Sequence, residues 1–381
     1  MLTIAMITIP YNKPYITGNE QKYIAESLQS GKMSGDGPFT KKCTQFLEQK
    51  YGYNKVLLTT SCTHALEMAS LLADIKEGDE VILPSYTFVS TANPFILRGA
   101  KLVFVDSMPN HPNMDASKIE GLITNKTKAI VPVHYAGVSC DMDTIMGIAD
   151  KYNLVVIEDA AQGIHASANQ IPLGKRGHMA AFSFHDTKNI ICGEGGMLVI
   201  NDKKLHKRAE IIREKGTNRS AFFRGEVDKY GWVDVGSSYL SSDILAAFLY
   251  AQLEKIDEIH SLRHKIWNQY QSAFAHLYAS KKLVKPTDFA HCQHNAHIYF
   301  LLTNSLEERT NLVNHLRDNG IAAPFHYLSL HKSSYYHDKY TGPELPNSDF
   351  YTDCLVRLPL WPDMTSDQVQ KVINEVLNFY E

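Results

Sequence analysis

The chain has 381 residues, enough for two domains or one large domain with an appendage, and its 44% hydrophobic and 21% charged content suits a water-soluble globular protein with a large core. A net charge of −3, with no run of lysine or arginine, excludes a general binder of nucleic acid or of an anionic membrane surface. Six scattered cysteines without a C-x-x-C pair point to free thiols in a reducing compartment, the cytoplasm, and no stretch approaches the ~20 apolar residues of a membrane helix.

In chain order, the apolar opening over residues 1–10 is short and lacks the basic flank and cleavage pattern of a secretion signal. Residues 20–50 read as helical, interrupted by Ser34-Gly35-Asp36-Gly37-Pro38. That run is half of a dinucleotide-binding glycine motif. No strand precedes it and the third glycine is missing, so it reads as a loop that helps cover a site. From 55 to about 200, short apolar runs alternate with helical ones. Strands are expected at 56–58, 80–84, 101–106, 129–134, 154–158, 180–184 and 196–200, and helices at 60–74, 87–98 and 142–152. This alternation predicts an α/β fold with a mostly parallel sheet between helices. Right-handed crossovers put the strand ends along one edge, so polar residues there are site candidates.

Helices are expected next at 204–215 and 242–260. From about 262 a smaller α+β segment follows, with a strand at 297–302 and a helix at 306–319. Its last helix carries the stripe Val369, Val372, Ile373, Val376, Leu377 and Tyr380, with Thr365 and Gln368 as its capping box. The expected division is an N-terminal arm (1–20), a large domain (21–261) and a small C-terminal domain (262–381). In His291-Cys292-Gln293-His294 the candidate ligands are too close together for one tetrahedral metal site, so the run reads as a solvated loop and no metal is expected.

Two segments carry the chemistry. Ile157-Glu158-Asp159-Ala160-Ala161-Gln162 ends an apolar run in a carboxylate, and Ala180-Ala181-Phe182-Ser183-Phe184-His185-Asp186-Thr187-Lys188 ends one in a lysine. Together they offer what pyridoxal 5'-phosphate (PLP) needs: an anion for its ring nitrogen and an amine for its aldehyde. Read alone, Asp159 fits a helix cap or surface carboxylate better, and Lys188 fits an exposed loop lysine. Gly193-Glu194-Gly195-Gly196 shifts the balance, because glycines permit a tight connection and close cofactor approach. Gln162 suits a contact to the ring hydroxyl. Thr59-Thr60-Ser61-Cys62-Thr63-His64 marks a helix start whose amides can bind phosphate, and Ser183 adds a hydroxyl. Phe88 serves either as a stacking partner for a pyridine ring or as core packing.

With these residues in place, the chain resembles the DegT-type nucleotide-sugar aminotransferases, which are fold-type-I PLP-dependent transferases. The likeness runs from Ile9 to the C-terminus. It is carried by Ser34-Gly35-Asp36-Gly37, by residues 83–93, by Val131-Pro132-Val133-His134-Tyr135-Ala136-Gly137, by residues 213–220 and by Gly236-Ser237-Ser238-Tyr239-Leu240. The resemblance implies a Schiff base on Lys188, Asp159 at the pyridine nitrogen, Gln162 at the ring oxygen and Phe88 over the ring. It places Cys62, Thr63 and Ser183 at the phosphate, and Ser238 where relatives reach the partner subunit's phosphate. Cys62 stands where glycine is common, and Ser238 is shorter than the usual asparagine. His326 and His331 occupy positions that face substrate in relatives, and Lys215, which stands where relatives often have histidine, joins them as a substrate-side candidate whose role is open. The implied activity moves an amino group from L-glutamate, through pyridoxamine 5'-phosphate, to a dTDP-keto-sugar for surface-polysaccharide synthesis. It implies a homodimer with shared active sites and no nucleic-acid or membrane partner. Within the family the flanking runs are most similar to enzymes that act at C4 of dTDP-4-dehydro-6-deoxy-D-glucose. A C3 transaminase is the alternative, and a PLP-binding regulator without turnover is the alternative outside enzymes.

Overall fold

A computed structural model describes residues 6–381, so residues 1–5 of the secretion-signal reading at 1–10 fall outside the described residues. Seven strands form the central sheet: β1 (Val56–Thr59), β2 (Glu80–Pro84), β3 (Lys101–Val105), β4 (Thr127–Ile130), β5 (Val155–Asp159), β6 (Met179–Ser183) and β7 (Gly196–Ile200). Their spatial order is β1-β7-β6-β5-β4-β2-β3, and β7 alone runs against its neighbours. The aliphatic runs are buried on both faces, as a sheet covered by helices on each side demands. The period-2 alternation of strand side chains divides them between two cores. Leu57, Ala181 and Leu198 pack with α3 (Cys62–Leu72), while Leu58, Phe182 and Val199 pack with α2 (Pro38–Tyr51) and a later helix over Asp243–Glu254.

Several expected elements are shorter than their apolar runs. The expected helix at 87–98 is a 3₁₀ turn at Val89–Thr91 followed by one α-turn at Asn93–Ile96. Pro94 has no N–H and its ring crowds the carbonyl four residues back, so a continuous helix cannot pass through it. The expected strand at 129–134 is laddered only to Ile130. Pro132 cannot donate, although its carbonyl still accepts from the Asp159 amide at 2.8 Å. The expected helix at 242–260 breaks at Lys255 (φ −107°, ψ 12°). Beyond the break, a 24-residue helix over Ile256–Ala279 passes position 261 without interruption. Cys292–Gln293 is not free loop but a short strand against Ser167–Ala168.

The C-terminal part pairs β8 (Tyr299–Leu302) antiparallel with β9 (Leu355–Leu358). Helices over Leu306–Asp318 and Ser366–Tyr380 pack against them around Tyr270, Phe274, Leu316, Trp361 and Val372. Both halves of the Thr365/Gln368 capping box are formed. A fourth cluster, with Tyr86 and Tyr135 from the sheet side and Ile298, Leu302, Tyr351 and Leu355 from the C-terminal part, joins the sheet to the C-terminal part. This junction brings residues 326–327 and 357 over the carboxyl ends of the parallel strands. No helix among the described residues is long and apolar enough to cross a membrane.

Candidate active site

The carboxyl ends of β1, β5 and β6 and the amino end of β7 meet at one edge of the sheet, as the registers Thr59↔Gly196, Ser183↔Gly196 and Ala181↔Asp159 require. A cavity of about 530 Å³ opens there. Lys188, Asp159, Gln162, Cys62, Thr63, Phe88, Ser183 and His326 all line it. Those from Cys62 to Lys188 face one space because the parallel crossovers return strand ends to the same edge, and the C-terminal part adds His326.

Asp159 is 5% exposed. It accepts hydrogen bonds from the Thr91 hydroxyl at 2.7 Å and the Ala161 amide at 3.1 Å. Burial pushes its carboxyl above the ordinary range, against these hydrogen bonds and the Lys188 charge. Among the described residues it has no cation within ion-pair distance. Glu158 points to the opposite face of β5, where it is fully buried against His134 (2.7 Å) and takes the Gly174 and Arg176 amides. The alternation of one strand therefore gives adjacent carboxylates different tasks: Glu158 anchors a loop, and Asp159 is left with a partner missing.

Lys188 sits at the end of the β6 connection, its amide held by the His185 carbonyl at 2.8 Å. Burial lowers the pKa of its ammonium, opposed by Cys62 and Asp159. The next residue, Asn189, is tied to His297 and to the Asn295 carbonyl, both at 2.8 Å, so the lysine loop is braced from behind. Ser61 caps α3 by accepting from the His64 amide. Helix geometry leaves the Cys62 and Thr63 amides without intrahelical acceptors, facing the cavity with the positive end of the helix. A side chain on Gly196 would put its Cβ 2.4 Å from the Cys62 nitrogen, so only glycine lets β7 approach this helix start.

Gln162 accepts from the Ala136 amide (2.7 Å) and donates to the Tyr327 hydroxyl (3.0 Å), which leaves one of its amide hydrogens for a ligand. Phe88 is 55% exposed and inclined to Tyr327 at 6.1 Å, so it walls the cavity and is not core packing. His326 stacks on Tyr327 at 3.5 Å, and its Nδ1 lies 2.7 Å from the Tyr135 hydroxyl.

Three expected site residues do not line this cavity. His331 is 4% exposed and engages Ser85 at 2.7 Å, because the chain turns into a 3₁₀ segment at Leu330–Lys332 and carries it behind the wall. Lys215 (φ 64°) and Ser238 lie on the exposed surface. The loop expected to cover the site, at 34–38, is drawn elsewhere. Arg213 clamps Asp36 at 2.6 and 2.8 Å, and Asp243 caps the Phe39 and Thr40 amides. Residues that sequence reasoning missed include Thr91, Tyr327 and Arg357. Thr91 lies inside the run at 83–93 and Tyr327 next to His326, both already singled out, whereas Arg357 carried no local signal.

The donor set fits PLP. A buried carboxylate lacks a cationic partner, an amine is held in a desolvated pocket, and helix-start amides and hydroxyls await an anion. Among the described residues no three metal-ligating side chains converge.

Relatives agree with this chemistry. The model of the DegT/DnrJ/EryC1/StrS aminotransferase family matches residues 14–377. The spore coat polysaccharide biosynthesis protein SpsC of Bacillus subtilis (strain 168) is 34% identical over 377 residues, covering 97% of this chain and 96% of SpsC. Among solved structures, Spr1654 from Streptococcus pneumoniae superposes with a TM-score of 0.89 at 26% identity in its apo form, covering 97% of both chains. It is also known in PMP and PLP forms. DesV of S. venezuelae gives a TM-score of 0.88 at 28% identity over 98% of both chains. With its family match spanning nearly the whole chain and a PLP-shaped donor set at the strand ends, the chain belongs to the DegT/DnrJ/EryC1/StrS family of PLP-dependent sugar aminotransferases.

Proposed function

We propose that this aminotransferase moves the amino group of L-glutamate to C4 of dTDP-4-dehydro-6-deoxy-D-glucose, giving dTDP-4-amino-4,6-dideoxy-D-galactose and 2-oxoglutarate for surface-polysaccharide synthesis. It would act in the cytoplasm as a homodimer. The observation that carries the chemistry is the meeting of Lys188 and Asp159 on one cavity beside the start of α3.

PLP, when bound, supplies the electron sink that lets an amino group leave one carbon and enter another. The chain's residues do the rest. Asp159 would hold a proton at the ring nitrogen, its carboxylate oriented by two hydrogen bonds that favour the anion against the effect of burial. The α3 amides and the Thr63 and Ser183 hydroxyls bind the phosphate. Phe88 and Tyr327 hold the ring plane and exclude water from it. Lys188 anchors the aldehyde at rest and afterwards carries a proton on Nζ. Its lowered pKa raises the fraction of neutral amine near neutral pH, as a proton shuttle needs.

The sugar side rests on other residues. One lysine delivers its proton from one face, so the bound orientation of the sugar sets the new stereocentre. The runs at 215–224 and 236–240 resemble C4-galacto enzymes more than C3 enzymes. Lys215 and Ser238 in these runs are exposed, where a second subunit would bring Ser238 to the neighbouring cavity. SpsC's part in spore coat polysaccharide biosynthesis supports a polysaccharide role. Purified protein loaded with PLP is given L-glutamate and the 4-keto sugar nucleotide, and the product is read by proton NMR. An axial C4 amine, seen in the H3–H4 coupling, is expected. An equatorial amine, or reaction only with a 3-keto sugar, overturns the assignment.

A further inference from the structure

A second cavity, of about 390 Å³, lies between the helix over Ile256–Ala279, β8 and the loop at 285–290. It shares no lining residue with the Lys188 cavity, and its size falls in the range of small-molecule sites. Its walls are aromatic: Trp267 and Tyr278 from the helix, Tyr299 and Phe300 from β8, Phe289 from the loop, and His111 at the start of a short strand over His111–Met114. The loop is pinned, with the Thr287 amide donating to the Asn110 carbonyl at 2.8 Å and the Cys292 amide to the Phe289 carbonyl at 2.7 Å. Trp267 packs 4.4 Å from His294 and 5.3 Å from Tyr299, and the His111 ring stands perpendicular to Phe289 at 5.1 Å. These contacts set the rings in place before any ligand arrives.

These walls carry N–H donors with nothing to accept from them. His111 is 2% exposed, and its Nδ1 accepts from the Asn113 amide at 3.2 Å, which puts the ring hydrogen on Nε2. Burial pushes its pKa down to about 3, so the ring is neutral and keeps that one hydrogen. Gln271 accepts from the Tyr299 hydroxyl through Oε1 at 3.1 Å, which leaves its amide hydrogens unspent. Among the described residues, no hydrogen bond engages His111 Nε2, Gln271 Nε2 or the Trp267 indole N–H. An apolar ligand would cover these donors without satisfying them, which costs free energy. A saccharide has no π-face and brings hydroxyl hydrogens that donors cannot accept. A flat ring with carbonyl or ring-nitrogen acceptors meets both needs, stacking on the aromatic walls and accepting at its edge. We propose that this cavity binds a planar heteroaromatic ring with the chemistry of a nucleobase, at a site separate from the Lys188 centre. Cys292, His294 and Ile298 line the cavity, while Asn295 and His297 of the same segment hold Asn189 beside Lys188. The occupant therefore sits behind the lysine loop and not on it, and the assignment does not depend on which substrates the aminotransferase takes.

The test is calorimetric titration of the PLP-loaded protein with thymidine and with adenosine, with ribose and cyclohexanol as probes that lack the flat ring. Both nucleosides should bind at one site per chain, and neither control should bind. W267L removes a stacking face and should weaken both nucleosides by about 5- to 150-fold, the worth of one stacked base. Q271A removes an edge donor and should weaken them by about 2- to 12-fold, the worth of one neutral hydrogen bond. Gln271 is only half-buried, so Q271A keeps the test decisive if W267L does not fold. Cofactor-free protein should bind the nucleosides as the loaded protein does. The proposal is overturned if neither nucleoside binds wild type, or if ribose or cyclohexanol binds as well as they do. It is also overturned if either folded variant keeps the wild-type affinity. Displacement of the nucleoside by PLP would put the ring in the Lys188 cavity and overturn it as well.

Discussion

Asp159→Asn should separate cofactor binding from folding, with effects of opposite sign. The carboxylate is 5% exposed and held by the Thr91 hydroxyl and the Ala161 amide. Asparagine can keep both contacts, with its oxygen on Ala161 and its amide turned to the Thr91 oxygen. It cannot supply the anion for a protonated ring nitrogen. Loss of one charged hydrogen bond costs about 1.5–3 kcal/mol, which is about 10- to 150-fold in PLP affinity. The cofactor-free protein should behave in the other direction. Its Asp159 pKa is raised, so this carboxyl destabilises the fold as pH rises from the unfolded value through the folded one. At neutral pH that penalty is present in wild type and absent in the variant. The assay is a spectroscopic PLP titration together with melting of cofactor-free and cofactor-loaded protein. Cofactor-free Asp159→Asn should melt at or above wild type, and the gain on adding PLP should shrink. Affinity within about threefold of wild type, with a lower cofactor-free melting point, would refute the role given to this buried anion.

Other substitutions probe the remaining parts. Lys188→Ala should abolish turnover, and borohydride reduction followed by peptide mapping should tag Lys188 in wild type; a tag on another lysine contradicts the site. Glu158→Gln should cost about 3–5 kcal/mol of stability by leaving donors unpaired around a buried pair. Because the Glu158 pKa is lowered, against the larger opposing effect of burial, by His134 and the Gly177 and Gly174 amides, its contribution is present above the unfolded carboxylate range. The gap between variant and wild type in denaturant midpoint should therefore close as pH falls through the folded value; a gap independent of pH in acid counts against the ion pair. Mixing inactive Lys188→Ala with an inactive variant in the Ser238 segment should restore part of the activity if sites are shared across a dimer. No recovery after demonstrated subunit exchange would speak against shared sites.

The sequence by itself determined the sheet and the centre of the site. Seven aliphatic runs bounded by turn residues can be buried only in a covered, mostly parallel sheet, and such a sheet aligns its strand ends. A carboxylate closing one run and a lysine following another are therefore legible before any coordinates, as Asp159 and Lys188 show. The tertiary structure decided which side chains complete that centre. Thr91 reaches Asp159 across 68 residues only because Pro94 stops a helix and leaves a tight turn. His326 lines the cavity and His331, five residues on, does not, because an irregular backbone has no period from which facing can be read. Arg357 lies in an apolar run, Leu355-Val356-Arg357-Leu358, where a lone arginine reads as the solvent face of an edge strand. Only the packing of the C-terminal part over the sheet turns that face into the roof of the cavity. Pairing rules act locally along the chain, whereas a pocket wall is set by how layers distant in sequence meet.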